Sequence, residues 1–100
     1  MDSLNYSTAL KIALAKINEL AVAAGEKFEI LADETREINQ GWVFFYNTED
    51  YIRTRDPLYA LAGNGPVLIL RNGQTVMLPS AASWQDVVRE MPRSAGGWAA

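Results

Sequence analysis

Val67-Leu68-Ile69-Leu70-Arg71, Asn72-Gly73 and Gln74-Thr75-Val76-Met77-Leu78 form the stretch that most restricts the fold. Two runs rich in strand-forming residues flank a dipeptide that tolerates φ > 0 at both central turn positions. An antiparallel hairpin with a two-residue type I′ turn is therefore predicted. In that register Ile69 faces Val76 and Val67 faces Leu78 on one side, while Leu68 with Met77 and Leu70 with Thr75 share the other. Both sides are then largely apolar, whereas a sheet with one wet face alternates apolar and polar residues. Either later segments cover the second face, which is the expectation, or it is a patch that a partner uses.

The aromatic run Trp42-Val43-Phe44-Phe45-Tyr46 has the same two-sided character. As a strand it places Trp42, Phe44 and Tyr46 on one face and Val43 and Phe45 on the other. Asn39-Gln40-Gly41 is a turn leading into it. Before that, Phe28–Ala32 starts a strand with Phe28, Ile30 and Ala32 on one face, and residues 33–38 either continue it or form a loop.

A first helix is predicted from an N-cap at Ser7 to about Ala24, with Gly25 just past its end. Leu10, Ala13, Leu14, Ile17, Leu20, Ala21 and Ala24 make a stripe about 120° wide, suited to lying on a sheet, and Ile12 falls off it. Thr48, followed by Glu49 and Asp50, suits the start of a single helical turn. Asp56-Pro57 repeats the device as cap and first helical residue of a turn over Leu58–Ala62 that ends at Gly63.

Leu61-Ala62-Gly63-Asn64-Gly65-Pro66 then forms an elbow into the hairpin. Gly63 and Asn64 tolerate φ > 0, and Pro66 pushes Gly65 into an extended conformation. A phosphate cradle is the functional alternative, but no P-loop lysine or GxGxxG pattern accompanies the elbow.

Ser83 caps a last helix, with Asp86 placed as in a capping box. Its apolar stripe is Trp84, Val87, Val88 and Met91, and Pro92 stops it. Residues 93–100 read as a flexible tail after a single domain over 1–92, with Trp98 a tail residue rather than a ligand anchor. The predicted fold is α+β, in the order α-β-β-β-β-α. An antiparallel sheet of about four strands carries an N-terminal helix packed on it and a short C-terminal helix.

The chain has 100 residues, enough for one domain with its own core. Neither histidine nor cysteine occurs. This removes Ser-His and Cys-His relays, zinc-thiolate sites and disulfides, and with them most enzyme designs. A carboxylate pair such as Glu34 and Glu37 is what catalysis would have left, and no constellation favours it. The expectation is a non-enzyme without cofactor or metal.

The start lacks a signal-peptide pattern, and no apolar run reaches the roughly 20 residues of a membrane span. A soluble cytoplasmic protein is expected, with no membrane partner. Charge is uneven: residues 1–25 are net zero, 26–50 carry seven acids against two bases, and 51–100 are net +2. An acidic first half disfavours a nucleic-acid partner, which would call for a basic stripe. Residue chemistry alone therefore supports a soluble α+β domain that binds something.

Gly41-Trp42-Val43-Phe44-Phe45-Tyr46-Asn47, then Tyr51-Ile52, then Leu61 to Pro66 and an aliphatic hairpin, resembles the immunity protein 35 family and the related YrhB-like proteins. The resemblance runs from about Ser7 to Met91. Arg55 stands where relatives often have glycine before Asp56. The resemblance implies a small protein encoded beside a polymorphic toxin, usually just downstream of it, that binds the toxin's catalytic domain. YrhB-like members are instead described as chaperone-like, a role that two-sided apolar strands would suit. For a toxin inhibitor, the expected contacts are Asp33, Glu34, Glu37, Glu49, Asp50 and Asp56, with Tyr46, Tyr51 and Tyr59 as aromatic anchors facing a basic cleft. For any one of these acids, a solvated surface carboxylate is the plainer role.

Overall fold

A computed structural model describes residues 4–61, 65–80 and 83–89. Helix α1 spans Tyr6–Ala24. Asn5, not Ser7, is its cap: the Asn5 side chain accepts a hydrogen bond from the Thr8 N–H at 2.9 Å. At the other end Gly25 takes φ 72°, its N–H bonds Val22 O, and the Glu26 N–H bonds Ala21 O. This is a Schellman ending, in which glycine carries the left-handed residue at no steric cost.

The buried line of α1 is Ala9, Ala13, Ile17 and Ala21. It is centred on alanines because the sheet supplies the bulk at this interface, in Trp42, Phe44, Val67 and Ile69. Leu10, Ile12 and Leu20 flank the line, whereas Leu14 and Ala24, expected in the stripe, are exposed.

Among the described residues six strands follow, where four were expected. They are β1 (Phe28–Ile30), β2 (Arg36–Ile38), β3 (Gly41–Phe44), β4 (Tyr46–Thr48), β5 (Val67–Leu70) and β6 (Thr75–Met77). A four-stranded antiparallel sheet has the order β2-β3-β5-β6, and β1 pairs with β4 in a separate ribbon. The extra strands come from two breaks. Ala32–Glu34 forms a 3₁₀ turn, η1, between β1 and β2. The aromatic strand interrupts at Phe45, whose carbonyl accepts the Leu31 N–H at 2.8 Å, so one run of chain serves both sheets.

Its two faces are as expected: Trp42, Phe44 and Tyr46 join the cluster under α1, and Val43 and Phe45 join the opposite one. Gly41 is obligatory in this strand, since a Cβ there would lie 1.9 Å from the Ile69 carbonyl oxygen of β5.

The 67–78 hairpin forms, but its register is one residue from the expected one. Val67 pairs with Met77, Leu68 with Val76 and Ile69 with Thr75. A type I′ turn needs positive φ at both central residues; here Gly73 alone has it, at 94°. The connection is therefore the three-residue Arg71-Asn72-Gly73. The Gly73 N–H bonds Leu70 O, and the Leu70 N–H bonds Gln74 O. That is the type I turn with a glycine bulge that suits three-residue loops. A slip of one flips every side chain of the strand. Val76 and Leu78 thus join Leu68 and Leu70, while Met77 moves to the other side and is left exposed.

Helix α3 (Trp84–Arg89) covers this second face. Val88, Val87 and Trp84 pack with Val43, Leu68, Leu70 and Leu78, and Trp84 meets Phe45 edge-on with centroids 6.1 Å apart. The buried Gln40 in the β2–β3 turn donates to the Val88 carbonyl at 2.9 Å, tying the helix to the sheet. Asp86 is no capping box: its carboxylate pairs with Arg89 at 3.1 Å. The expectations for Gly63, Asn64, Met91, Pro92, Trp98 and the tail lie outside the described residues. Among the described residues no helix is long and apolar enough to cross a membrane.

Candidate functional site

Asn47 and Thr48, at the end of β4, organise one end of the molecule. Thr48, only 3% exposed, uses one hydroxyl twice. It accepts the Tyr51 N–H at 3.0 Å, starting α2 (Glu49–Thr54), and donates to the Tyr59 carbonyl at 2.6 Å. Asn47 Oδ1 accepts from the Leu61 N–H at 2.9 Å and from the Thr48 N–H at 2.8 Å. Between these anchors Pro57–Tyr59 forms a 3₁₀ turn, η2, capped by Asp56, which accepts the Leu58 N–H at 3.0 Å. The expected caps at Thr48 and Asp56 are both present, although η2 stops at Tyr59 rather than running to Gly63. Thr48→Val should cost about 2 kcal/mol, because it removes a cap and leaves a carbonyl unpaired. A urea titration checks this.

Arg55 ends α2 in the left-handed region, at φ 60°, with its guanidinium 5.7 Å from the Tyr51 ring centre. A side chain there costs about 1 kcal/mol or more. Arg55→Gly should accordingly raise the melting temperature by about 4 °C, as followed by circular dichroism. A lower melting temperature would mean that the Tyr51 contact outweighs the strain.

The turn η1 faces α2 across a groove of about 240 Å³. Ile30, Leu31, Asp33 and Glu34 line one side, and Ile52 and Arg55 line the other. A second recess of about 440 Å³ lies between the end of α1 and the start of α2, bounded by Glu26, Lys27, Glu49 and Asp50. Asp33, Glu34, Glu49, Asp50, Tyr51, Asp56 and Tyr59 thus belong to three turns at one end of the fold. With Arg53 and Arg55, the ionisable side chains of η1, α2 and η2 sum to −3, the net charge of the whole chain.

Asp50 is held by Arg53 at 2.8 Å, and both are exposed, so the pair contributes little to stability. Among the described residues no group of three or more acids is placed to hold a metal ion. On α1, the Lys16 side chain hydrogen-bonds and attracts the exposed Glu19 carboxylate, lowering its pKa below the usual range.

Two of the expected contacts lie elsewhere. Tyr46 is buried, with its ring 5.7 Å from that of Phe28, and is a core residue. Glu37 sits on β2 and pairs with Arg71 at 3.0 Å. Arg71 also donates to the Ile38 carbonyl at 2.7 Å and lies over the Trp42 ring at 4.4 Å. This cluster joins the tips of two hairpins. Leu58, Ile52 and Arg55 were not among the expected contacts, yet they face the same end. The turn η2 buries none of its residues, and no signal in the sequence marked Leu58 as exposed.

The family model of immunity protein 35 matches residues 7–90. The chain belongs to the immunity protein 35 family. The match covers nearly the same span as the resemblance carried by the 41–78 motifs, and it includes every residue of the acidic end. No curated protein and no solved structure matches the chain.

Proposed function

We propose that this immunity protein 35 family member neutralises a protein toxin by docking its acidic end, η1, α2 and η2, over the toxin's active cleft. It acts by occupancy rather than by catalysis, in the cytoplasm of the producing cell. The toxin domain is the one encoded immediately upstream. The observation that carries this reading is a net charge of −3, that of the whole chain, gathered on η1, α2 and η2, the last two fixed by hydrogen bonds of the Thr48, Asn47 and Asp56 side chains. Such a surface steers encounter with a basic cleft and weakens as salt screens it. Carboxylates within the occluding face would take the place of an anionic substrate.

The chaperone-like alternative drew on the apolar second sheet face. That face is packed under α3, with Val43, Leu68 and Leu70 fully buried, and no longer argues for client binding.

Titration of the purified protein with the upstream toxin domain tests the proposal. Expected are a complex at or below micromolar concentration, weaker binding at higher salt, and rescue of growth on co-expression. No complex and no rescue would overturn it.

A further inference from the structure

Leu58 is 88% exposed, more than any other large apolar side chain among the described residues, and Tyr59 beside it is 48% exposed. A single apolar side chain standing in water is commonplace on any protein surface, and exposure alone carries no argument. Here the backbone is pinned from both ends. Its own N–H is taken by Asp56, the Tyr59 N–H bonds the Asp56 carbonyl, the Tyr59 carbonyl receives the buried Thr48 hydroxyl, and the Leu61 N–H is held by Asn47. Two consecutive side chains of β4 are thereby committed to fixing a turn that buries none of its own residues.

We propose that Leu58 is the apolar anchor with which the chain enters its protein partner, filling a leucine-sized pocket rimmed by basic side chains. The proposal rests on the inhibitor reading above and names the residue that would dominate it. Interface energy concentrates in a few well-packed residues that are fully desolvated on binding, aromatic residues and arginine more often than leucine. A side chain carried on a preordered turn loses little further freedom when it docks. The surrounding charge selects the occupant. Glu49, Asp50 and Asp56 are offset in part by Arg53 and Arg55, but with Asp33 and Glu34 of η1 across the groove this end carries a net −3, so two copies would meet with like net charge. A basic rim complements that charge. Val22, 82% exposed on α1, is the useful contrast: it sits on a solvated helix face with no network committed to presenting it.

The test is calorimetric titration of the purified full chain into the purified toxin domain encoded by the upstream gene. Leu58→Ala should weaken binding by about 30-fold or more, and Leu58→Met by about threefold or less. Both variants should keep the wild-type melting temperature, since Leu58 lies outside the core. Val22→Ala should bind as the wild type does. Leu58→Ala binding within threefold of a tight wild type would overturn the anchor and leave the inhibitor reading standing. A wild type that does not bind would overturn both. Self-association of the free chain that Leu58→Ala abolishes would assign the knob to a second copy instead.

Discussion

Phe44→Ala should destabilise the protein by about 4 kcal/mol, within the range for deleting a large buried aromatic side chain. Phe44 is fully buried on β3, a central strand of the larger sheet. Its ring lies 6.0 Å from that of Tyr6 on α1, and its cluster includes Ala9, Ala13 and Ile17. Ala9 and Ala13 are too short to fill the space left behind. A domain of this size has about 5–15 kcal/mol in total, and the variant would sit near the edge of folding. Met77→Ala, on an exposed edge position of β6, should stay within about 0.5 kcal/mol. Urea denaturation of the two variants checks the contrast. Equal small losses would mean that α1 does not pack on β3 as described.

Gly65→Ala should cost about 3 kcal/mol, for a reason that concerns backbone rather than side chains. A Cβ at Gly65 would lie 1.9 Å from the Leu78 carbonyl oxygen and 2.8 Å from the Pro79 carbonyl carbon. Neither atom can move without breaking the pairing in which the Leu78 N–H reaches Pro66 O. Gly25 provides the comparison: a Cβ there would meet nothing within 4 Å, and only its φ of 72° penalises a side chain. Gly25→Ala should therefore cost about 1 kcal/mol. If Gly65→Ala cost no more than Gly25→Ala, the close passage of the two hairpin arms would be refuted. The described half of the elbow, Gly65-Pro66, is thus a point of backbone approach.

Features governed by local chemistry were legible in the sequence. Thr48 and Asp56 cap the turns that their neighbours required, Gly25 ends α1, and the faces of Trp42–Tyr46 follow from simple alternation. Two local expectations also failed, the cap of α1 lying at Asn5 rather than Ser7 and Asp86 pairing with Arg89, and the rest of what escaped depended on tertiary choices. The break at Phe45 exists because β1 competes for that strand, and no single-segment pattern encodes a competition. The hairpin slipped by one because Asn72-Gly73 suits two loop lengths. The longer one sends Val76 and Leu78 to the side that α3 completes.

The candidate contacts divide in the same way. Acids next to helix starts reached one surface because an unpaired carboxylate is costly to bury. Tyr46 lies on an inward-alternating position, which was already a sign that it belonged to the core. Glu37 was captured by Arg71, whose position 34 residues later along the chain gave no local signal.

Hydrogen exchange on the chain, free and bound to the upstream toxin domain, tests most directly whether this end is the docking surface. Amides of η1, α2 and η2, from Asp33 to Glu34 and from Glu49 to Tyr59, should gain protection in the complex, while the α3 face should be unchanged. Protection confined to α1 or to α3, with Glu49–Tyr59 exchanging as in the free chain, would contradict it.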